Sequence, residues 1–600
     1  RCVENCPAGA VKLGQKLCTK DGFIEYPRQE LPDEVKWGPE KWAIDYRDKN
    51  RINCHDTGTA PCKTACPAHI AVQGYLKLAA QGKYREALQL IKRENPFPAV
   101  CGRICNRRCE DACTRGTVDQ AVAIDEVKRF IAQQDLDAAT RFVPEKVIPK
   151  VDGEFGEKIA VIGAGPAGMS CAFYLAEKGY RPTVFEKEER PGGMLMNGIP
   201  SFRLEKDVVE AEIDILREMG VEFRCGVEVG KDVTIAQLRE EGYQGFYVAV
   251  GLQSGGRLNI PGGEAQGVQA GIDFMRHVNS GLCSKMSGRV VVIGGGNIGA
   301  DVARTALRCG ADSVDLYCLE GYEDMPMGEE DRGECEREGI TIHAGWGQTE
   351  IVEQDGKCAG IRFRKCLSVK NAEGRFDPKF DDAVTEETAC DMVLYCIGQK
   401  VEWKALLTGT KVEFNPNGTV KADPVTYQTA EPDIFVGGDA YTGQKFAIDA
   451  IAAGKQGAVS LHRWVQHATL TIGRDRRQFI ELDKENALIA IDSYDNTSCQ
   501  QIGYNEALRK TFRDERVAFT EEQVKKETAR CLGCGASIVD PNKCIGCGIC
   551  TTKCAFDAIH LHRERPECST MYKCEDKMKA ILPYMIKRNF KIKRATRKSK

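Results

Sequence analysis

Two stretches of this chain share one pattern, a short apolar strand that runs into a glycine-rich turn and then into a helix. The first strand, Lys158–Ile162, precedes Gly163-x-Gly165-x-x-Gly168, and the second strand, Arg289–Ile293, precedes Gly294-x-Gly296-x-x-Gly299. Glycines in such a turn let the backbone approach a pyrophosphate, and the N-terminus of the following helix stabilises its negative charge. Because each motif has both its strand and its helix, we predict two dinucleotide-binding α/β domains rather than two plain structural turns.

The length of the chain indicates further domains besides these two. With 600 residues the chain is too long for one hydrophobic core, so several domains are expected. Its net charge of −3 argues neither for nor against nucleic-acid binding, and no apolar run approaches the ~20 residues of a membrane helix. We predict no membrane span and no nucleic-acid partner, and a cytoplasmic protein because its many cysteines fit reduced thiolates better than disulfides.

Cysteines are concentrated in the two ends of the chain. Of the 29 cysteines, ten precede residue 114 and eight lie within residues 531–574. A disulfide scaffold is typical of short secreted chains, whereas this long chain places its cysteines at the spacing of metal ligands. The isolated cysteines of the middle are predicted to be small buried apolar residues, namely Cys171, Cys225, Cys309, Cys318 and Cys390.

The C-terminal cysteines have the spacing of a ferredoxin. Short spacers let consecutive thiolates surround one [4Fe-4S] cube, and the fourth cysteine of such a run usually serves a neighbouring cluster. A second cluster would then combine Cys554 with the pair upstream of the run and with Cys568 or Cys574, whereas a zinc ribbon is the alternative. The predicted ligands at this end are Cys531, Cys534, Cys544, Cys547, Cys550 and Cys554.

The N-terminal cysteines fall into two groups. Cys2-x-x-x-Cys6-Pro7 matches the last half of a ferredoxin motif, and since the chain starts at Arg1 we expect the first half to lie upstream. Residues 51–140 combine helical spacing of apolar side chains with a dense set of cysteines. The ligands predicted from both groups are Cys2, Cys6, Cys54, Cys62, Cys66, Cys101, Cys105, Cys109 and Cys113.

Several short motifs together resemble a known group of flavoproteins. Pro191-Gly192-Gly193 follows the first glycine turn, and a strand ending in Gly438-Asp439 precedes a predicted helix. With Gly198-Ile199-Pro200 and Cys101-Gly102-Arg103, they resemble the small subunit of glutamate synthase, the large subunit of NADH-dependent ferredoxin:NADP oxidoreductase and the N-terminal half of dihydropyrimidine dehydrogenase. The resemblance covers about residues 51–466 and implies FAD, a nicotinamide cofactor and two N-terminal [4Fe-4S] clusters.

The resemblance also implies a multidomain α/β fold in which the NAD(P)H-binding domain is inserted into the FAD-binding domain. Helices are predicted at residues 169–178, 300–309 and 447–458, and strands and helices are predicted to alternate as far as about residue 465. In chain order we predict a ferredoxin remnant and linker (1–50), a helical two-cluster iron–sulfur domain (51–150), the first part of the FAD domain (151–255), the NAD(P)H domain (256–424), the rest of the FAD domain (425–466), a linker (467–520) and a C-terminal ferredoxin-like domain with a basic tail (521–600).

The same motifs assign residues to each cofactor. No side-chain acid, base or nucleophile is required, because the cofactors carry the chemistry. Asp439 is expected to contact the flavin ribityl chain, and the helix from Ala447 is expected to direct its N-terminus at the ring. The predicted FAD residues are Gly163, Gly165, Pro166, Ala167, Gly168, Glu186, Lys187, Gly192, Gly193, Met194, Gly438, Asp439, Ala447 and Ile448. The predicted nicotinamide-cofactor residues are Gly294, Gly296, Asn297, Ile298, Gly299 and Glu320.

The chain departs from its relatives where the nicotinamide nucleotide would be selected. Relatives often bind the 2′-phosphate of NADPH with an Arg pair where this chain has Leu319-Glu320. A carboxylate repels a phosphate but accepts hydrogen bonds from ribose hydroxyls, so we predict a preference for NADH over NADPH. An Arg displaced from the usual place is the alternative, since it would still recognise the phosphate.

A second departure affects the N-terminal clusters. Thr57 occupies a position where relatives have a ligating cysteine, which leaves seven cysteines for eight ligand places. His55, Glu126 and Gln120 are candidates for the missing ligand, and Cys101 is alternatively a neighbour of a cluster rather than a ligand.

These features predict an electron-transfer flavoenzyme subunit. NADH would give a hydride to FAD, and [4Fe-4S] clusters would carry single electrons to or from a ferredoxin, a catalytic redox subunit or other subunits of a larger complex. The sequence is compatible with electron flow in either direction, and with or without electron bifurcation at the flavin. Disulfide reduction is disfavoured because no C-x-x-C or C-x-x-x-x-C lies between residues 114 and 530. A structural iron–sulfur adaptor with an inert flavin site is the alternative.

The end of the chain is strongly basic from Lys587 to Lys600. Such a run is typical of a solvated, disordered end, and a docking surface for an acidic ferredoxin or partner subunit is the alternative. Nucleic-acid binding is disfavoured because no nucleic-acid-binding module accompanies it.

Overall fold

A computed structural model describes most of the chain. The described residues are 11–14, 16–19, 22–25, 60–146, 154–282, 285–472, 474, 495–534, 536–539, 545–553 and 576–598. The chain divides into one compact unit of residues 13–536 and a second unit of residues 1–12 and 537–600. The predictions for Cys2, Cys6, Cys54, His55, Thr57, Cys544, Cys554, Cys568 and Cys574 lie outside the described residues.

The N-terminal part contains short strands followed by a helical domain. The strands are β1 Val11–Gly14, β2 Lys16–Thr19 and β3 Gly22–Glu25, of which β2 and β3 pair antiparallel. The helices are α1 Pro61–Thr64, α2 Val72–Ala80, α3 Tyr84–Lys92, α4 Pro98–Ile104, α5 Arg108–Asp111 and α6 Ile124–Ala132, with 3-10 turns at Thr114–Thr117 and Gln133–Leu136. Apolar residues of α2, α3 and α6 are almost fully buried and form the core, as the helical spacing predicted.

The first α/β domain begins at the first glycine motif. Its elements are β4 Lys158–Ile162, α7 Pro166–Glu177, β5 Thr183–Glu186, α8 Met194–Asn197, α9 Lys206–Glu218, β6 Glu222–Cys225, α10 Ile235–Glu240 and β7 Tyr243–Val248. Strands β4 and β5 are buried on both faces, which is the pattern of a parallel sheet covered by helices.

The second α/β domain is inserted next. Its elements are β8 Ser254–Gly255, β9 Val268–Ala270, α11 Gly271–Asn279, β10 Arg289–Ile293, α12 Asn297–Cys309, β11 Ser313–Cys318, α13 Glu329–Glu338, β12 Thr341–Ala344, β13 Trp346–Gln354, β14 Lys357–Lys370, β15 Phe376–Ala389, β16 Met392–Tyr395 and β17 Gln399–Lys400. Five of the strands form a parallel sheet in the order β12-β11-β10-β16-β9.

Strands β13, β14 and β15 form a separate antiparallel sheet. The predicted alternation of strands and helices is therefore wrong between residues 341 and 400, where the structure contains strands alone. The sequence carried a signal for these strands, because apolar and charged side chains alternate in part of β14. In the structure Ile361 and Phe363 are fully buried, and Arg362 between them is exposed.

The chain then returns to the first sheet. The returning elements are β18 Ile434–Val436, α14 Asp439–Thr442 and α15 Ala447–Val465. Strand β18 pairs parallel with β7, which completes a five-stranded sheet in the order β18-β7-β4-β5-β6. One sheet is thus built from segments on both sides of the insertion, as the family resemblance implied.

Residues 495–534 pack against the helical domain. The elements are β19 Gly503–Tyr504, β20 Arg516–Val517 and α16 Glu521–Ala529, with a 3-10 turn at Glu506–Leu508, and β21 Ala536–Val539 follows. Arg530 is fully buried and donates hydrogen bonds to the carbonyls of Ala121 (3.1 Å) and Thr497 (3.0 Å). The compact unit therefore extends past the predicted domain boundary at residue 521.

The second unit contains α17 Ile549–Lys553 and α18 Lys577–Lys598. The basic residues 587–598 continue α18, so the prediction of a disordered end is wrong for them. Lys, Arg, Ile and Met are tolerated or favoured in helices, and this preference outweighs the repulsion between the charges. Among the helices that the structure describes, none is both long and apolar enough to cross a membrane.

Candidate cofactor site

A cleft of about 1130 Å³ lies between the two α/β domains. Both glycine turns line it, with Gly163 and Gly165 on one side and Gly294 and Gly296 on the other. Pockets for one small ligand usually have ~300–1,000 Å³, so this cleft is slightly larger than the usual range.

The first glycine turn leaves one gap that faces the cleft. A Cβ on Gly163 would lie 2.5 Å from the carbonyl oxygen of Ala249, and a Cβ on Gly168 would overlap the carbonyl oxygen of Gly163. A Cβ on Gly165 would meet nothing within 4 Å. The outer glycines are therefore needed by the turn itself, whereas Gly165 leaves open the space at the N-terminus of α7, which is the kind of position that attracts anions.

The second glycine turn repeats this arrangement. Gly294 has a φ of +132°, and a side chain there would overlap the carbonyl oxygen of Cys396. Gly299 packs against Gly294, whereas a Cβ on Gly296 would again meet nothing within 4 Å. Both turns thus provide the same open cradle at a helix N-terminus.

Acidic residues of the first α/β domain also line the cleft. Glu186 ends β5, is buried, and accepts hydrogen bonds from the backbone N–H groups of Ala164 (2.7 Å) and Glu188 (3.0 Å). Burial raises the pKa of this carboxyl. Burial also raises the pKa of Asp439 to about 6, while the backbone N–H of Lys445 donates to its carboxylate at 3.2 Å.

The structure brings most of the predicted cofactor residues to this one cleft. Those that line it are Gly163, Gly165, Pro166, Ala167, Glu186, Lys187, Gly193, Met194, Gly294, Gly296, Asn297, Ile298, Glu320, Gly438, Asp439 and Ala447. Gly168, Gly192, Gly299 and Ile448 do not line it. The side chain of Ile448 is buried in the hydrophobic core.

An ionic cluster beside the cleft was missed by the sequence reasoning. Arg203 of the first domain pairs with Asp301 on α12 and with Asp331 on α13, and both Arg203 and Asp301 line the cleft. The neighbouring carboxylates outweigh burial and raise the pKa of Arg203. No motif joins these residues, which are separated by 98 and 128 positions.

The antiparallel sheet adds a second group that the sequence reasoning missed. Gln348, Arg364 and Phe380 line the cleft on the same side as Glu320. The Arg364 guanidinium lies 4.0 Å from the centre of the Phe380 ring and donates to Asp382 at 2.7 Å, and its buried Nε has no partner among the described residues. A cation and a carboxylate therefore share this end of the cleft.

Four cysteines of the helical domain form a first group, Cys66, Cys101, Cys105 and Cys109. Burial raises the pKa of the thiols of Cys101, Cys105 and Cys109, and Cys66 adds to this effect on Cys105. Fully buried Lys128 opposes it and forms an ion pair with Asp125. A positive charge is thus held beside this group of thiols.

Four other cysteines form a second group, Cys62, Cys113, Cys531 and Cys534, and line one small cavity. Burial raises the pKa of Cys62 well above its usual value, and the thiols of Cys531, Cys113 and Cys534 raise it further. The candidate ligands Glu126 and Gln120 do not line this cavity. Of the described cysteines in the ferredoxin-like run, Cys547 is exposed and Cys550 is buried.

The helical domain reaches the cleft beside α15. Both terminal nitrogens of Arg108 donate to the carboxylate of Asp449, in the first turn of α15, at 3.1 and 3.2 Å. Ile104, at the end of α4, lines the cleft itself. The cysteine-rich domain is therefore anchored to the helix whose N-terminus faces the cleft.

Comparison with known families matches each part of this architecture. The sequence matches "Pyridine nucleotide-disulphide oxidoreductase" over residues 157–456. It matches the 4Fe-4S cluster domain II of dihydropyrimidine dehydrogenase over residues 45–140 and a 4Fe-4S binding domain over residues 537–560. Of the isolated middle cysteines, Cys171, Cys309, Cys318 and Cys390 are buried as predicted, whereas Cys225 is half-buried.

Three similar proteins illustrate the range of relatives. The NADP(+)-dependent formate dehydrogenase subunit beta of Moorella thermoacetica is 35% identical over 68% of this chain, and the match spans 60% of that relative's length. The glutamate synthase [NADPH] small chain of Escherichia coli K12 is 31% identical over 69% of this chain and 90% of its own length. The NAD-dependent dihydropyrimidine dehydrogenase subunit PreT of Escherichia coli O157:H7 is 31% identical over 69% of this chain and 92% of its own length. The chain therefore belongs to the pyridine nucleotide-disulphide oxidoreductases, a family of NAD(P)H-dependent enzymes, and carries iron–sulfur domains on both sides of that family's fold.

Proposed function

We propose that this chain is an electron-transfer subunit that links a nicotinamide nucleotide, through FAD and [4Fe-4S] clusters, to a partner redox subunit or a ferredoxin. The observation that carries the proposal is the single cleft lined by both glycine turns, together with the Arg108–Asp449 contact that anchors the cysteine-rich domain to it. The names of the relatives, which are subunits and small chains, support a partner subunit.

The residues of the cleft fit both nucleotides. The open positions at Gly165 and Gly296 leave room for two pyrophosphates, each at a helix N-terminus. When bound, FAD supplies the step between two-electron nicotinamide chemistry and single-electron clusters. The chain's own residues bind and orient the nucleotides. Glu186 accepts hydrogen bonds from the backbone of the first glycine turn and has lone pairs left for a bound nucleotide, and Asp439 presents a carboxylate to a hydroxyl-bearing chain.

Disulfide reduction, which the family name suggests, fits the cleft poorly. Among the described residues, Cys318 and Cys396 line it. Burial raises the pKa of Cys318 to about 11 and raises the pKa of Cys396 as well. Both thiols are therefore protonated at neutral pH, whereas thiol–disulfide exchange needs a thiolate.

The first group of cysteines supplies a complete ligand set for one [4Fe-4S] cluster. Cys66, Cys101, Cys105 and Cys109 belong to one helical domain, and the thiol of Cys105 interacts electrostatically with each of the other three, which makes Cys101 a ligand in this proposal. Lys128 places a buried positive charge beside it, and such a charge stabilises the reduced, more negative cluster and raises its potential.

Anaerobic addition of NADH to the purified holoprotein tests the function. We expect the flavin absorbance to bleach and cluster EPR signals to appear, because the cleft brings both nucleotides together. An unchanged flavin spectrum would instead favour the structural adaptor with an inert flavin site.

Metal analysis of the same protein tests the C-terminal cluster. Zinc in place of iron in the C-terminal domain would reject the ferredoxin-like cluster there.

The proposed cofactor preference is for NADH, and it rests on Glu320. This carboxylate lines the cleft directly after β11, where a ribose is expected, and would repel a 2′-phosphate. Arg364 lines the same end, but its guanidinium donates to Asp382 and stacks on Phe380. We therefore assign Arg364 to the support of that wall rather than to a phosphate.

Replacing Leu319 and Glu320 by Arg is expected to shift preference from NADH towards NADPH. The change removes a carboxylate and offers planar donors to the 2′-phosphate; a charged hydrogen bond contributes about 1.5–3 kcal/mol, or roughly ten- to a hundredfold. The measurement is the ratio of kcat/KM for the two nucleotides, with a dye as acceptor. Glu323→Arg is the matched control, since Glu323 lies on the same loop but does not line the cleft. A wild-type preference for NADPH, or a ratio that does not move, contradicts the role of Glu320.

A further inference from the structure

The pair Cys531-x-x-Cys534 lies far from the N-terminal cysteines in sequence, yet the structure places it among them. Cys62, Cys113, Cys531 and Cys534 line one cavity within the compact unit 13–536. The pair therefore belongs to the helical domain rather than to the ferredoxin-like run that follows it.

Buried polar contacts fix this position. The side chain of Arg115 donates to the carbonyl oxygen of Arg530 at 3.2 Å, one residue before Cys531. Arg530 in turn donates to the carbonyl of Ala121 and pairs with Glu527, which accepts from the backbone N–H of Ala123 at 2.8 Å. Arg115, Arg530 and Glu527 are almost fully buried, and side chains of this kind leave water only when their partners are in place.

A further contact reaches the pair itself. The amide of Gln73, on α2, donates to the carbonyl oxygen of Cys534. Both ends of the C-x-x-C segment are thus hydrogen-bonded to the domain that carries Cys62 and Cys113.

The rest of the cavity has the chemistry of an iron–sulfur site. Apolar side chains enclose the thiols, namely those of Pro61, Val72, Leu76, Val122, Ile124 and Leu532. The buried guanidinium of Arg115 also lines the cavity and offsets the charge of a thiolate cluster. A [4Fe-4S] cube holds its four thiolates further apart than a zinc ion does, and four thiols distributed around one cavity suit the cube.

We propose that Cys62, Cys113, Cys531 and Cys534 ligate one [4Fe-4S] cluster. The proposal deepens the proposed function and rests on it for the cluster's role in electron transfer. With Cys66, Cys101, Cys105 and Cys109 on the other cluster, the helical domain has eight cysteine ligands, so neither Cys54 nor a residue in place of Thr57 is needed. Residues 495–534 then supply two ligands of an N-terminal cluster. Cys531 and Cys534 therefore do not share a cluster with Cys554.

Iron content per bound FAD tests this ligand set in the full-length protein. Cys62→Ala/Cys113→Ala and Cys531→Ala/Cys534→Ala are each expected to lose about four irons per FAD, because each pair holds the same cube. The variant with all four substitutions is expected to lose the same four. A loss of about eight in that variant places the two pairs on different clusters and overturns the proposal.

Two matched variants complete the set. Cys544→Ala/Cys547→Ala, combined with Cys531→Ala/Cys534→Ala, is expected to lose about eight irons, because these pairs serve different clusters. A loss of only four there would place Cys531 and Cys534 on the C-terminal cluster and overturn the proposal. Cys54→Ala is expected to keep all its iron, and a loss of about four irons in that variant would overturn the ligand set.

The wild-type protein gives a second measurement that does not depend on how the variants fold. Iron is removed slowly with a chelator and an oxidant, and newly exposed thiols are alkylated and identified by mass spectrometry. We expect Cys62, Cys113, Cys531 and Cys534 to become reactive with one time constant, separate from that of Cys544, Cys547 and Cys550. A time course in which Cys531 cannot be separated from Cys547 overturns the assignment. Neither readout uses NADH, so a flavin that NADH fails to bleach rejects the proposed function and leaves the ligand assignment standing.

Discussion

Gly165→Val protein is expected to fold but to purify without FAD. Gly165 has a φ of −76° and a ψ of 179°, which valine adopts readily, and a Cβ there meets no protein atom within 4 Å. The valine methyl groups would instead occupy the space that the FAD pyrophosphate needs. Losing two charged hydrogen bonds of about 1.5–3 kcal/mol each weakens binding by roughly a hundred- to ten-thousandfold.

The measurement is the ratio of FAD to protein after purification, together with the unfolding temperature of the apoprotein. Gly156→Val is the matched control, because Gly156 also has nothing within 4 Å of an added Cβ but does not line the cleft. Gly168→Val is uninformative about the cofactor, since its side chain would overlap the carbonyl oxygen of Gly163 and disrupt the turn. A full complement of FAD in Gly165→Val protein would show that the first turn is not the FAD site.

Gly296→Val protein is expected to keep its FAD and to lose reduction by NADH. Gly296 caps α12 with a φ of −98° and a ψ of 174°, and it also has open space beside it. The pyrophosphate is common to NADH and NADPH, so the second-order rate constant should fall roughly a hundred- to ten-thousandfold for both nucleotides. This distinguishes the variant from the Leu319 and Glu320 substitutions, which change the ratio between the two.

Stopped-flow bleaching of the flavin by NADH measures the effect, and reduction of the same flavin by dithionite is the control for an intact FAD site. The two glycine variants also test the assignment of the turns against each other. If Gly296→Val lost FAD while Gly165→Val kept it, the order of the two nucleotide domains along the chain would be the reverse of the one proposed here.

The parts of the fold that were predicted correctly are governed by local sequence. Strands β4 and β10 begin and end where the apolar runs predicted. The helices after both glycine turns exist, although each starts three residues earlier than predicted, at Pro166 and Asn297. A glycine turn, the strand before it and the helix after it lie within about 20 residues, so their pattern is visible without any long-range contact.

The cofactor cleft contains residues that local sequence patterns identify and others that they do not. The glycine turns and Asp439 were identified because each belongs to a motif, and they line the cleft. Arg203, Asp301 and Arg364 carry no motif and reach the cleft only because two domains and an antiparallel sheet pack around it. Ile448 was assigned to the cofactor from its place after Ala447, and its side chain is buried in the core, which the motif did not indicate.

The sequence by itself determined the two dinucleotide folds and the presence of thiol-rich ends, because these depend on residue spacing along short segments. The insertion of one domain into the other was implied only by the family resemblance, since it depends on the pairing of β18 with the distant strand β7. Only the tertiary structure decided which thiols meet. Spacing suggested that Cys531 and Cys534 belong with the cysteines that follow them, but the buried side chains of Arg115, Glu527 and Arg530 hold this segment against Cys62 and Cys113. Partners more than 400 residues apart are chosen by burial and by hydrogen bonds that form once the domains pack, and no local pattern encodes that choice.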